Sequence, residues 1–266
     1  MAKRIDSSGS PSSVFGTSKF NKKAPKAKSN SKQSFGKKIL RKVFRLFLIL
    51  WVASLVAILL GKFLPVFFTP TMMTRKVDAW MEGKSGKIYS QWSSYEEIDR
   101  NCALAVIASE DQLFPDHNGF DFDAMVGAVK NNMKGKRIKG ASTISQQVAK
   151  NVFLWQGRSY LRKGLEAYFT FMIELIWGKK RILEVYLNVA ETGKMTFGVE
   201  AACRKFYNHT AQEVSKSEAA RIAAVLPNPN RFSIENPSGY VLRRTGQIQR
   251  QMRMLGGKRF LEENNL

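Results

Sequence analysis

The chain has 266 residues, 43 of them Lys or Arg and 21 Asp or Glu, for a formal net charge of +22. That length holds one domain of ordinary size plus appendages. Its two cysteines, Cys102 and Cys203, are too few for a disulfide framework and lack metal-ligand spacing; they are expected to be unpaired, buried thiols.

The charge is concentrated at the start. Residues 1–45 carry 13 Lys or Arg against a single acid, Asp6, in a background of Ser, Gly, Asn, Gln and Pro, and are expected to be a disordered basic tail. Residues 46–266 keep 30 basic against 20 acidic residues, which suits an anionic partner or surface. "RKVFRLFLILWVASLVAILLGKFLPVFF" follows the tail: from 46 to 68 the only charge is Lys62, which can snorkel to an interface. A span needs about 20 apolar residues, so 46–68 is expected to be a transmembrane helix. A cleaved signal peptide fits less well, because the basic region is long and no small-residue cleavage site follows. The cations from Lys37 to Arg45 orient the tail towards the cytoplasm and place later residues on the outer side. Residues 1–45 as a whole hold 12 of the 22 excess positive charges (13 basic less one acid), so orientation across a membrane accounts for over half of the net charge and no nucleic-acid partner is expected.

Residues 69–93 are expected to be a connector with one short strand at 87–91. The outer domain, 94–266, is mainly α in pattern. "SSYEEIDRNCALAVIASEDQLF" opens on a capping-box pair, Ser94 with Glu97, and is read as one helix ending before Pro115. Further helices are expected at 143–154, 160–177, 179–188, 197–206 and 215–225.

Three constellations carry chemistry. In "ASEDQLFPDHNGFDFD", Glu110 shares a helical stripe with Val106 and Phe114, and a desolvated carboxylate takes on the raised pKa of a general acid or base; a Glu at a helix end paired to a surface Lys is the plainer alternative. In "KGASTISQQVAKNVFL", Thr143 and Gln146 have capping-box spacing, and Thr143, Gln147 and Lys150 share one face of a helix whose N-terminus attracts anions. That pattern suits phosphate, or simply a solvated face. In "GRSYLRKGLEAYF", Arg158, Arg162 and Glu166 recur every four residues with Lys163 beside them: either surface ion pairs or a carboxylate among anion-gripping cations. Glu184 and Asn188, also one turn apart, are expected to be structural. His117 is expected to shape the turn after Pro115. Phe120, Phe122, Met125 and Met133, beside Lys134, Lys136 and Arg137, suit contact with a membrane surface or an ordinary mobile loop.

Taken in order, these stretches resemble the peptidoglycan glycosyltransferase family. "EDQLFPDHNGFD" is similar to its E-D-x-x-F-x-x-H-x-G-x-D motif, and "GASTISQQVAKN" to G-G-S-T-x-x-Q-Q-x-x-K-N, with Ala141 where Gly is usual. "RKGLE", "RILEVYLN" and "EAARIAAVLPNPNRF" resemble the remaining blocks, so the likeness runs over about residues 85–255. Bifunctional members continue into a transpeptidase; the "SNSK" and "SFGK" strings lie in the tail and are read as chance, so the likeness is to the monofunctional transglycosylases.

The resemblance implies a lysozyme-like α fold behind one N-terminal transmembrane helix, anchored in the bacterial inner membrane with the catalytic domain in the periplasm. It implies polymerisation of lipid II onto a growing glycan strand with inversion and release of polyprenyl pyrophosphate. Glu110 would be the base and Glu166 the second carboxylate. Lys150, Arg158, Arg162 and Lys163 would grip the pyrophosphate, with Ser142 and Gln147 as hydrogen-bond donors and Phe114 at the substrate. Asp111 would help bind a divalent cation, Mg or Mn, at the pyrophosphate. The membrane, lipid II and other cell-wall synthesis or division proteins are the implied partners. The alternatives are a lysozyme-like hydrolase, which would not need the cationic cluster, and a non-catalytic cell-wall scaffold.

Overall fold

The computed structural model describes residues 31–133, 142–157 and 159–266. By its internal contacts the chain divides after Trp51 into one unit ending there and a second, Val52–Leu266.

Helix α1 runs Ser31–Phe63. Within it, Gly36–Phe63 is long and apolar enough to cross a membrane. Its large side chains, among them Leu40, Phe44, Phe47, Ile49, Leu50 and Leu60, are exposed, as on a helix facing lipid. The helix differs from the expected 46–68 at both ends. It begins inside the supposed tail, where the Lys, Arg and Leu residues of "KKILRKVFR" favour helix. It stops at Phe63, since Pro65 disfavours the helical conformation of Leu64. The expectation for residues 1–30 lies outside the described residues.

Within the second unit, the C-terminal end of α1 is held by side chains of later helices. Helices α6 (Tyr160–Ile176) and α7 (Lys179–Val189) supply the contacts. Trp177, between them, donates its indole N–H to the Ile58 carbonyl at 2.7 Å, and Ser54 bonds the Tyr168 hydroxyl at 2.9 Å. Arg181 caps the helix end through the carbonyls of Gly61 (2.9 Å from Nη2) and Leu64 (2.5 Å). Gly61 permits this approach: a Cβ there would lie 2.7 Å from the Trp177 ring.

The segment expected to be a connector contains α2, Pro70–Met81. Thr69 caps it through the Met72 N–H at 3.2 Å and Pro70 fills the first turn, a start signal passed over in the sequence reading. The expected strand shrinks to β1, Tyr89–Ser90. The single helix expected from Ser94 is broken. The Ser94–Glu97 capping box closes only one 3₁₀ turn, Ile98 is extended, and Asp99 caps a new helix, α3 (Arg100–Glu110), through the Asn101 N–H at 2.7 Å.

Every residue of α3 from Cys102 to Ala108 is buried, so it is the axial helix of the core. Around it pack α7, α9 (Lys216–Val225), α10 (Gly239–Met254) and α11 (Lys258–Glu263). Helix α5 (Ile144–Phe153) lies against α2, α6 and α7. Helix α4 (Phe122–Met133) stands where a loop was allowed for, with Phe122 and Val126 exposed; Lys134, Lys136 and Arg137 fall outside the described residues. Cys102 and Cys203 are free and buried, as expected.

A small sheet, ordered β1-β3-β2, follows α7. Strand β2 (Glu191–Gly193) turns back antiparallel onto β3 (Thr196–Phe197), which pairs in parallel with β1. Gly198 then starts α8 (Val199–Phe206) at φ +85, where a Cβ would lie 2.6 Å from the Asn188 carbonyl oxygen. Asn188 is structural, as its spacing predicted: its amide exchanges two 2.9 Å bonds with the Ser93 backbone. Its partner in that pair, Glu184, accepts from Arg181 at 2.7 Å.

Candidate active site

Glu110 closes α3, and the loop behind it returns to lock α5 alongside. Asp111 makes this lock. Its Oδ2 accepts the first amide of α5, Ile144 N–H, at 3.0 Å, while its Oδ1 lies 2.9 Å from His117 Nε2. The Gly119 N–H donates to His117 Nδ1 at 3.1 Å, so Nδ1 is the acceptor and Nε2 carries the proton given to Asp111. Thr143 completes the joint: its hydroxyl donates to the Gly119 carbonyl at 2.7 Å, and its capping box with Gln146 forms as the spacing predicted.

The lock sets Gln147, one turn into α5, against Glu110. Gln147 Nε2 donates to Glu110 Oε2 at 2.9 Å, and its Oε1 accepts from the Tyr186 hydroxyl of α7 at 3.1 Å. Tyr186 is fully buried, and burial pushes its pKa well above the ordinary value, so the phenol stays a donor. The relay runs one way, from Tyr186 through Gln147 to the carboxylate. Burial raises the Glu110 pKa; the Gln147 bond, Arg244 and Lys150 act against it, and Asp111 adds to it. Arg244, on α10, is anchored beside the carboxylate by donating to the Ser109 carbonyl at 3.0 Å.

The cationic cluster lies further along. Glu166 is buried between two cations of its own helix, Arg162 at 2.6 Å and Lys163. Lys150 responds to the charges of Glu166, Arg162, Lys163 and Glu110 together; burial is the largest influence and lowers its pKa. Lys163 keeps half its side chain exposed and so is open to a ligand. Arg158 lies outside the described residues.

Glu110 and Gln147 separate two cavities. One, of about 150 Å³, is lined by Glu110, Leu113, Asp121, Ser142 and Thr143; the other, of about 170 Å³, by Gln147, Lys150, Asn151, Gln156, Tyr186 and Glu191. A further cavity, of about 550 Å³, lies between α2 and the β2–β3 turn and is lined by none of the groups above.

Glu110, Gln147, Lys150, Arg162, Lys163 and Glu166 therefore converge as the sequence reading required, with exposed Ser142 at the rim. Phe114 does not line the cleft. It is fully buried, edge-on to His117 and 4.5 Å beneath the Lys179 ammonium, so it supports the loop from within. Asp111 fits a metal poorly. Its carboxylate is only 4 % exposed and is committed to His117 and Ile144, and among the described residues no three His, Cys, Asp or Glu converge on a cation position. Tyr186 and Arg244 were missed as site residues. Tyr186 sits in plain view in "ILEVYLN", but nothing in that stretch points to Gln147, 39 positions away.

Comparison with known proteins agrees with this geometry. A family model described as "Transglycosylase" matches residues 79–253. A biosynthetic peptidoglycan transglycosylase of Yersinia pseudotuberculosis serotype O:3 (strain YPIII) is 56% identical over 219 residues, covering 82% of this chain and 90% of the relative. The protein of that name from Yersinia pestis (strain Pestoides F) matches with the same identity and coverage. With a Glu–Gln–Tyr relay beside a cationic cluster, and a family match over residues 79–253, the chain belongs to the transglycosylase family.

Proposed function

We propose that this protein polymerises lipid II into peptidoglycan glycan strands at the outer face of the bacterial inner membrane. One observation carries the reading: a half-buried carboxylate of raised pKa, oriented by Gln147, stands beside a cluster of cations that no sugar alone requires. Glu110 Oε1 takes no hydrogen bond from the described residues and is the atom that receives a proton.

In the step, the 4-hydroxyl oxygen of the acceptor sugar attacks the anomeric carbon of the growing chain. Its proton passes to Glu110 as the new C–O bond forms. The bond to polyprenyl diphosphate breaks from the opposite side, which inverts the anomeric centre. The electron pair leaves with the diphosphate, and Lys150, Arg162 and Lys163 meet that charge. Glu166 positions two of these cations. The raised pKa of Glu110 suits an acid or a base alike; the cations decide against a hydrolase, because glycoside hydrolysis releases no phosphate.

Helix α1 supplies a single span, and the basic run from Lys37 to Arg45 directs its N-terminal side to the cytoplasm. Purified full-length protein in detergent, given lipid II, is expected to release polyprenyl diphosphate and form glycan strands. Cleavage of preformed glycan, with lipid II left intact, would instead make it a hydrolase.

A further inference from the structure

The short turn between β2 and β3 is strained at its tip. Met195 has φ +58, whereas the other non-glycine described residues at positive φ, Asn208 and Asn265, are of a type that tolerates it. Two bonds hold the turn in place. The Tyr89 N–H donates to the Met195 carbonyl at 2.9 Å, and Arg75 of α2 donates to Glu191, where β2 starts, at 2.9 Å. Backbone strain that the surroundings maintain is a pointer to function. The residue before Met195 is Lys194, exposed and lining a pocket.

That pocket, of about 270 Å³, lies between the turn, the end of α8 and the loop that follows α9. Three cations line it, Lys194, Lys205 and Arg231, against one acid, Glu235, and Phe206 and Phe232 give it apolar walls. The walls are fixed. Gly193 lets the Phe206 ring close on the turn, since a Cβ there would lie 3.1 Å from that ring. Phe232 stacks on Tyr240 of α10 with ring centroids 4.9 Å apart, and its N–H donates to the Asn228 carbonyl at 2.9 Å. Lys205 donates to the Thr196 hydroxyl at 2.9 Å and lies over the Tyr89 ring. The Lys194 ammonium and the Arg231 guanidinium make no hydrogen bond or ion pair among the described residues; Arg231 lies over the Phe232 ring. Unpaired cations between aromatic walls fit a carboxylate carried on a short, partly apolar chain.

The pocket adjoins the reacting cleft. Pro229 lines both it and the cavity of Gln147 and Lys150. Each disaccharide of a peptidoglycan strand bears a short stem peptide with apolar residues and free carboxylates, the chemistry that this pocket complements. We infer that the pocket holds a stem peptide of the growing strand by its carboxylate, with Lys194 and Arg231 as the gripping cations, and so slows release of the strand between additions. This rests on the polymerase reading above.

The test uses full-length protein in detergent and two preparations of lipid II, one with free stem-peptide carboxylates and one with these amidated. Mean glycan strand length is read from each, and the ratio of the two is the measured quantity. Partly exposed ion pairs are weak, so the wild type is expected to make strands about threefold longer from the free substrate. In the double variant Lys194→Ala, Arg231→Ala the ratio is expected to fall to about one. Both side chains are exposed, so the fold is not at stake. Equal strand lengths from the two substrates in the wild type overturn the inference and leave the pocket to an acidic segment of another protein. The same ratio in wild type and variant also overturns it, because the carboxylates then act elsewhere. A wild type that makes no polymer from either substrate topples the polymerase reading, whereas polymer of equal length from both topples this inference alone.

Discussion

Gln147 carries two constraints at once. It must present N–H to Glu110, and an amide can rotate by half a turn and present oxygen instead. The ionised Glu110 carboxylate, which only accepts, sets the amide's orientation, and the Tyr186 hydroxyl completes it by donating to Gln147 Oε1. Tyr186→Phe is expected to lower kcat several-fold and cost about 1 kcal/mol of stability, read by steady-state rate and chemical denaturation. An unchanged rate would show that Gln147 needs no orienting by the phenol. Glu110 itself is held at a cost. Its folded pKa is raised above the ordinary 4.5, so that cost is absent below the unfolded value and complete once the pH exceeds the folded one. Glu110→Gln is therefore expected to equal or exceed the wild type in thermal midpoint at neutral pH, with the advantage vanishing in acid. The acid limb of the wild-type kcat/KM profile should likewise lie above the range of an exposed glutamate. A midpoint that falls at neutral pH would mean that the carboxylate stabilises the fold and is not strained by burial.

Among elements, the decisive joint is the one between α3 and α5. It depends on a single carboxylate, Asp111, which accepts from the imidazole of His117 and from the first amide of α5. An amide at this position would turn one donor against two donors. Asp111→Asn is expected to cost about 1–3 kcal/mol and to lower kcat in parallel, because Gln147 moves with α5. A loss of activity with the midpoint unchanged would instead assign Asp111 to the substrate or to a cation. Here the sequence was legible in part. "STISQ" announced the start of α5, and the order of acidic and basic blocks located the site. The break at Ile98 was not legible, because two capping signals, Ser94 and Asp99, lie five residues apart and only tertiary packing selects the second for the long helix. Thr69–Pro70 was an ordinary helix start, hidden by a polar segment with no clear apolar stripe. The pairs Gln147–Tyr186 and Arg75–Glu191 are contacts across 39 and 116 positions, and no local pattern encodes them.

For the molecule as a whole, the apolar helix is part of the folded structure at its C-terminal end. Trp177, Arg181 and Tyr168 bond its last turns, and α6, which carries Glu166, also carries Tyr168. Gly61→Leu would drive a side chain into the Trp177 ring, 2.7 Å from where a Cβ would stand. It is expected to lower the thermal midpoint of the catalytic domain although the change lies in the span; an unchanged midpoint would reduce the helix to a tether. The charge distribution follows the same plan. Basic residues precede the apolar helix in the chain, and after it the cations that matter are gathered around Glu110 and the buried Glu166.

The most direct measurement of the central claim is polymerisation of lipid II by wild type and Glu110→Gln side by side, with lipid II binding measured on both. The account expects glycan strands from the wild type, none from the variant, and comparable binding by the two. Polymer from Glu110→Gln at a similar rate would contradict it, removing Glu110 as the base and directing attention to Glu166.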